Sequence, residues 1–542
     1  MSRAGQRVLV GLALTSLLIL RYGLAQDLTA SVSDAVALVS VPAEAAPMAQ
    51  RALLSFKSLH PQYQGTIALY DEAASGKPTV TFLATESPGL VGYPTLLAVD
   101  FLHVRTDLSL DEAQRILQEE TSGSDLERVP LATIKERGYA QPHEITLLDY
   151  AQRGAGLRLL TIDGIPPTLE NYQDGTYPLL TPLKAHVTSP GPWWQPWRRH
   201  VPAVSAFLEF LNSEAGQKAW YGQESQISFL ALGDVMLARN VGKKIEEYGI
   251  TYPFGLVDEA LNEHDVVIAN LESPIGVKGI PIPNKLIWFR ATPEAARALV
   301  HGGIDMVGLA NNHILDYDSE SLLETLENLE ALGIARTGAG RNLAEARQPA
   351  LISRGDITVA LLAYTEFASE DLYWSQDYPR TFLATEDTPG CAPMELDMVM
   401  EDVRKARQQA DIVMVTYHWG QEYVNYPEAY FGQDLQEVAR RTIEAGADAV
   451  LGTHPHAIQG IEIYQGKPIA YSLGNFVMDQ YEPISTESMM LSLTLSPRGI
   501  TALEVVPVRI SYHRPGLAQG EDAAYLMEKI RTISLPFRGA GT

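Results

Sequence analysis

The sequence predicts an α/β protein in which a layered domain of alternating strands and helices follows a smaller α/β region. Two observations carry that prediction. Between residues 227 and 515, short apolar runs rich in β-branched residues alternate with amphipathic helical patterns, as in sheets buried on both faces. A chain of 542 residues also exceeds what one core usually holds. The polar stretch "YGQESQ" (221–226) separates its two differently patterned parts. The expected organisation is an export segment at 1–25, a first domain at 27–222, the layered domain at 227–515, and a C-terminal helix and tail at 516–542. The final "FRGAGT" is expected to fray.

At the N-terminus, Arg3 and Arg7 precede the apolar run "VLVGLALTSLLIL", and "YGLAQ" offers small residues for cleavage after Ala25. Arg21 interrupts the usual approach to such a site, so an uncleaved anchor is the alternative to a signal peptide. The location expected is extracytoplasmic: exported, at the periplasmic or extracellular face, and either secreted or held by the N-terminal segment. No cysteine near the cleavage site offers a lipoprotein anchor. The single cysteine, Cys391, also excludes an intramolecular disulfide framework and a Cys-rich zinc site. It lies in the turn-like "DTPGCAP" with no histidine nearby, which argues against a nucleophilic role. A net charge of -25 argues against a nucleic-acid-binding surface and against simple adhesion to anionic lipid.

In the layered part, the expected strands are "ISFLALG" (227–233), "DVVIANL" (265–271), "IDMVGLA" (304–310), "ITVALLAY" (357–364), "DIVMVTY" (411–417), "ADAVLG" (447–452) and "PIAYSLG" (468–474). The clearest helix is "SESLLETLENLEALG" (319–333), with Ser319 as N-cap, Leu322, Leu326 and Leu329 on one face, and Gly333 as its stop. "MMLSLTLSPRGITALEVVPVRI" reads as a hairpin turning at "SPRG".

Ligands of open α/β sheets bind beyond the carboxyl ends of the strands, and the polar residues collect there. Asp234 follows the first strand, Glu272 the second, and Asn311, Asn312 and His313 the third. His418 follows "DIVMVTY", His454 and His456 follow "ADAVLG", and Asn475 ends "SLGN". A lone Asp or His at such a position serves equally as a cap or loop hydrogen-bonder. With only 12 histidines in the chain, this concentration points to a divalent metal such as Mn, Fe, Zn or Mg. His454 and His456, alternate residues around Pro455, are expected to face one way from an extended segment.

The motifs "GDVMLAR", "NLESPI", "ANNHILD", "THPHAIQG" and "YSLGNFV", in that order, resemble the CapA family of bacterial capsule-synthesis, or poly-gamma-glutamate biosynthesis, proteins. That family is similar to the calcineurin-like metallophosphoesterases. The resemblance implies a four-layer metallophosphatase-like sandwich holding one or two divalent ions. It implies Asp234 as a ligand and Glu272 as the bridging carboxylate. Asn312, His418 and His454 would complete one site, and His456 would serve the other. It implies His313 as the acid or phosphoryl contact, Arg239 as an anion clamp or a salt-bridge partner, and Asn311 and Asn475 as substrate contacts. Met236 departs from the Asp-x-His of such phosphoesterases, which leaves one metal position short of a ligand.

The implied activity is hydrolysis or transfer at a phosphoryl or acyl centre. The alternative is a non-catalytic polymer-binding assembly factor with a degenerate metal site. The expected partners are an anionic polymer or a phosphorylated small molecule, and the membrane capsule-synthesis machinery. In the first region, "TDLSLDEAQRILQ" (106–118), "LTIDGIPPTLENYQDGTYPLLTPL" (160–183) and "AVSAFLEFLNSEAGQKAW" (203–220) resemble phosphate-type periplasmic solute-binding proteins. The region is truncated relative to two full lobes and shows no Ser/Thr-rich anion loop, so it is a docking scaffold or an anion site.

Overall fold

The structure, a computed structural model, describes residues 37–538 except 64–66, 70–79, 85–90, 104, 119–125, 138–139, 142, 149–153, 155, 188–201, 222–224 and 372–374. The expected export segment lies outside these residues, as do residues 222–224 of the expected linker. Among the described residues, no helix is long and apolar enough to cross a membrane.

In the first region, five strands form a sheet in the order 67–69, 37–40, 80–84, 180–187, 91–94, and four more form a second sheet around Leu96–Asp100. Helix Leu110–Leu117 begins at Ser109, whose hydroxyl accepts the Glu112 N–H at 3.2 Å. The helix expected over 203–220 divides into Pro202–Leu211 and Glu214–Tyr221. Ser213 causes the break: its Oγ accepts the Gly216 N–H at 3.1 Å and caps a new helix rather than continuing the old one.

The second region is a sandwich of two sheets between two helix layers. Its first sheet is built from β1 (Ile227–Val235), β2 (Val266–Leu271), β3 (Met306–Gly308) and β4 (Ala335–Thr337). Its second comprises β5 (Ala350–Arg354), β6 (Ile357–Thr365), β7 (Ile412–His418), β8 (Ala449–Thr453), β9 (Ile461–Tyr464) and β10 (Lys467–Ala470). The chain then returns to the first sheet with β11 (Asn475–Val477), β12 (Glu487–Ser496), β13 (Gly499–Ser511) and β14 (Arg514–Leu517). The first sheet runs β4-β3-β2-β1-β12-β13-β14 with β11 also on β1; the second runs β5-β6-β7-β8-β10-β9.

Strand alternation sorts the side chains into layers. Phe229, Ala231, Val266 and Ile268 face Val359, Leu361, Met414 and Leu451 between the sheets. Leu230, Leu232, Val267 and Ala269 face outward onto helices Arg239–Tyr248, Pro293–His301 and Asp318–Leu332. On the far side, Leu362, Val413 and Val450 pack on helices Leu396–Ala406 and Leu435–Ala445. The four layers follow directly from which residues are apolar on both faces.

Three elements differ from expectation. The Asp318–Leu332 helix starts one residue early, so Ser319 lies inside it, while left-handed Gly333 ends it as expected. The strand expected over 468–474 breaks after Ala470, and Asn475 opens β11 in the other sheet. The C-terminal helix Gly520–Ser534 is not peripheral: Leu526 and Ile530 enter the inter-sheet core. Of "FRGAGT", Phe537 is buried and Arg538 reaches Asp100 of the first region at 2.7 Å, both nearly buried. Phe101 and Leu102 join the same inter-sheet core.

Crossing between sheets brings the β11 entry against β1. A Cβ on Gly233 would lie 1.9 Å from the Gly474 carbonyl oxygen, beside Asp234. Gly233→Ala is therefore expected to destabilise the fold by about 1–3 kcal/mol or more, as overpacking does. Thermal denaturation of the purified variant checks this; an unchanged Tm would show that the two backbones separate at no cost.

Candidate metal centre

Five strand ends deliver side chains to one buried point, the third through Asn312 in the segment after β3. Asp234 lies near the end of β1, in register with Asn270 of β2 and Asn475 of β11. Glu272 follows β2, His418 ends β7, and His454 follows β8. Asp234 and Glu272 are fully buried, and one ligand atom from each of Asp234, Glu272 and His456 lies within 4.8 Å of the others.

The orientations are set by what lies behind each group. Thr453 Oγ1 donates to the Tyr417 carbonyl, so it accepts from His418 Nδ1 at 3.2 Å. The Asn270 amide nitrogen also lies 3.3 Å from His418 Nδ1, and His418 Nε2 faces inward, 3.0 Å from Asn312 Oδ1, 3.1 Å from His454 Nδ1 and 4.0 Å from Glu272 Oε1. Asn475 donates its amide to Gln480 Oε1 and to the Ser485 carbonyl, both at 2.9 Å. Its Oδ1 therefore accepts from His456 Nδ1 at 2.8 Å, and His456 Nε2 faces Glu272 Oε1 at 3.8 Å. Backing hydrogen bonds of this kind fix the tautomer of a ligating histidine.

A divalent cation fits these residues. Both oxygens of Glu272 are buried without a donor, as is His454 Nε2. Lone pairs converging on one another repel, and an unpaired buried carboxylate is costly, unless a cation lies among them. The donors are imidazole nitrogen and carboxylate or amide oxygen, suited to a borderline or hard metal. Glu272, Asn312, His418 and His454 make one group; Asp234, Glu272 and His456 make the other.

Burial shifts every titration here. It pushes the Asp234 carboxyl up to about 7. It holds Glu272 well above the usual range, with the Asp234 charge adding to the effect. The His418 and His454 imidazoles are pushed well below their ordinary value by burial, and His456 to about 4.

His313 stands beside the centre, its Nε2 3.9 Å from Glu272 Oε1. Its Nδ1 meets Asp316 Oδ2 at 2.7 Å, and its ring stacks on Phe289 with centroids 3.9 Å apart. Asp316 also pairs with buried Lys285 at 2.5 Å, and the Lys285 ammonium donates to the Asn312 carbonyl. Arg239, about half exposed, lies over the other part of Phe289, 5.6 Å from its centroid, and meets buried Asp479 at 3.3 Å.

Some expectations change. His454 and His456 converge, but not from an extended segment: both have left-handed backbone, φ 93° and 52°. The turn is held there by the His454 N–H on Asp234 Oδ2 (3.1 Å) and the Tyr423 N–H on the Pro455 carbonyl (2.7 Å). The side chains of Asn311 and Asn475 are buried and bonded within the protein. Asn475 is consumed as described, and Asn311 donates to the Leu271 carbonyl and Asn270 Oδ1 and accepts the His313 N–H. Met236 is buried with its Sδ accepting the Ala238 N–H at 3.1 Å, so it turns away from the centre. Cys391 is buried with its thiol pushed up to about 12, an unreactive state.

Three residues went unnoticed in the sequence. Asn270 donates to Asp234 Oδ1 at 2.7 Å, and its spacing two before Glu272 on one strand was a usable signal. Asp316, three residues after His313, was equally readable. Lys285 gave no sign, because only the tertiary fold brings "NKL" to Asp316.

The second region is thus a four-layer α/β sandwich of metallophosphatase-like fold, with nitrogen and oxygen donors gathered at its strand ends. The family model for the bacterial capsule synthesis protein PGA_cap matches residues 228–480. The chain is 31% identical over 312 residues to the PGA biosynthesis protein CapA of Bacillus subtilis, covering 57% of this chain and 78% of that one. It is 32% identical over 326 residues to a probable polyglutamine synthesis accessory protein of Mycobacterium tuberculosis, covering 57% and 83%. The chain belongs to the CapA family of bacterial capsule synthesis proteins. A solved phosphate transport receptor from Vibrio cholerae aligns with 34% of this chain and 98% of its own, at 14% identity and a TM-score of 0.25, too distant to decide anything.

The carboxyls of the metal-free centre hold protons at pH values where its imidazoles are already neutral. Metal binding must therefore release protons, and affinity should rise with pH up to and through about 7. Calorimetric titration with Mn or Zn in two buffers of different ionisation enthalpy checks this; a binding enthalpy independent of buffer would contradict it.

Proposed function

We propose that the chain is an extracytoplasmic, metal-dependent enzyme of capsule or poly-gamma-glutamate assembly, cleaving or transferring at a phosphoryl or acyl centre. The observation that carries this reading is Glu272, a fully buried carboxylate with neither oxygen paired, ringed by imidazoles at 3.8–4.0 Å. Its relatives' names, capsule biosynthesis and PGA biosynthesis proteins, support the pathway and an anionic polymer as partner. The membrane-bound capsule machinery is the proposed partner assembly.

A divalent cation held by these ligands supplies an electrophile that polarises the substrate's oxygen and acidifies water. The chain's own residues do the rest. With Nδ1 committed to Asp316, His313 exchanges its proton at Nε2, the atom facing the centre. Phe289 excludes water from one face of that ring. Arg239, at the mouth, meets an anionic group, and its guanidinium suits two oxygens at once.

A second reading, a polymer-binding assembly factor, is supported by Met236. With its sulfur on the Ala238 N–H, the end of β1 supplies Asp234 alone where phosphoesterases have Asp and His.

Three measurements test these proposals. Replacing His454 with Ala removes a shared ligand, so metal content by elemental analysis should fall sharply. His313→Asn should keep metal near wild type while turnover of a generic phosphodiester falls by roughly 10²–10⁴, the scale of one general acid or base. Full turnover with full metal in His313→Asn would end the catalytic assignment. For location, a reporter active only in the cytoplasm, fused after Thr542, should stay silent; activity there would sink the export proposal.

A further inference from the structure

A concavity opens on the surface beside the helix that begins at Arg239. Its volume is about 620 Å³, and Lys244, Tyr248, Tyr252, Tyr512 and Arg514 line it. Lys244 and Tyr248 come from the Arg239–Tyr248 helix, and Tyr512 and Arg514 from the β13–β14 hairpin. The Lys244 ammonium lies 4.8 Å from the Tyr248 centroid and pairs with Glu247 at 2.9 Å. Arg514 lies 4.5 Å above the Tyr252 ring, and its buried Nε–H has no acceptor. Among the described residues, no carboxylate pairs with Arg514. In a chain of net charge -25, a guanidinium stacked on an aromatic ring yet lacking an anion is conspicuous.

The hairpin supplies an independent observation. Its two-residue turn is Tyr512–His513, both in left-handed backbone at φ 52° and 68°. Turns of this shape favour Asn-Gly, because bulky residues there are strained by roughly 1 kcal/mol or more each. The strained side chains are the ones in use. Tyr512 is 78% exposed on the pocket wall, and its carbonyl accepts the Tyr252 hydroxyl at 2.8 Å. His513 meets the Tyr481 hydroxyl at 3.0 Å. Strain retained where a stabler turn is available points to a function for the displayed residues.

From these features we propose that the pocket is a binding subsite for carboxylates of an extended anionic polymer whose reacting end lies at the metal centre. The proposal rests on the function proposed above and names its substrate class. Arg514 and Lys244 supply the cations, and the tyrosine rings supply hydroxyls and flat walls for the polymer's methylenes. Lys244 is five residues along the helix from Arg239, roughly 7.5 Å at the α-helical rise. That axial distance is covered by roughly two to three extended residues. Five residues also turn Lys244 about 140° round the helix from Arg239, so a polymer would cross the helix obliquely, from Arg239 over Phe289 to Lys244 and Arg514. An acidic protein needs such a local positive path to hold a polyanion at all.

The test is a fluorescence-anisotropy titration of a short fluorescein-labelled γ-linked oligoglutamate with the full chain, with and without added Mn. Arg514→Met combined with Lys244→Met should weaken binding about tenfold or more, the scale of losing charge-assisted hydrogen bonds. Metal content should stay unchanged. Tyr512→Asn with His513→Gly, a relaxed turn, should raise Tm while weakening binding. Wild-type affinity in both variants would overturn the subsite, as would displacement of the oligomer by inorganic phosphate at equal carboxylate concentration. Loss of metal and turnover in His454→Ala, with oligomer binding retained, would separate the subsite from the chemistry of the centre.

Discussion

A carboxylate deprived of both water and donors is the constraint around which this domain is organised. Glu272 is fully buried and neither of its oxygens is paired. Left as an anion without compensation, it would cost several kcal/mol. The fold answers by directing imidazoles from two different sheets at it, each backed by a hydrogen bond that aims its lone pair inward. Thr453 serves His418 in this way, and Asn475 serves His456. The resulting group of donors is compatible with a divalent cation.

The sheet crossing makes this possible. Because β11 leaves the second sheet to pair with β1, Asn475 lies in register with Asp234 and behind His456 at once. The crossing depends on backbone contact too close for any side chain, at Gly233 against Gly474 and at Gly452 against the Tyr471 carbonyl. Apolar packing on both faces of each sheet supplies the rigidity that holds unsupported polar groups in place. The left-handed conformations of His454 and His456 are sustained by the same surroundings, as backbone strain near functional sites usually is.

Two side-chain arrangements border the centre. Met236 turns its sulfur to the Ala238 N–H, so one ligand group has fewer members. Beside it, Asp316 is shared between His313 and Lys285, which keeps the imidazole oriented at the edge of the centre. The pairing of Asp100 with Arg538 and the burial of Phe101 and Leu102 tie the first region to this sandwich, so the regions share part of one core.

The sequence alone determined the architecture and the polar cluster, because both arise from local pattern. Runs such as "ITVALLAY" are apolar on both faces and can only be interior strands. Side chains just beyond their carboxyl ends necessarily share a rim, which made Asp234, Glu272, Asn312, His418, His454 and His456 legible by position. What only the tertiary structure decided is which atoms meet. Asn475 became the support of His456 because a strand changed sheets after Ala470. Lys285 reached Asp316, and Arg538 reached Asp100, across separations that no periodicity records. Pairing between distant segments depends on how whole layers pack, and a local pattern of hydrophobicity carries no information about that.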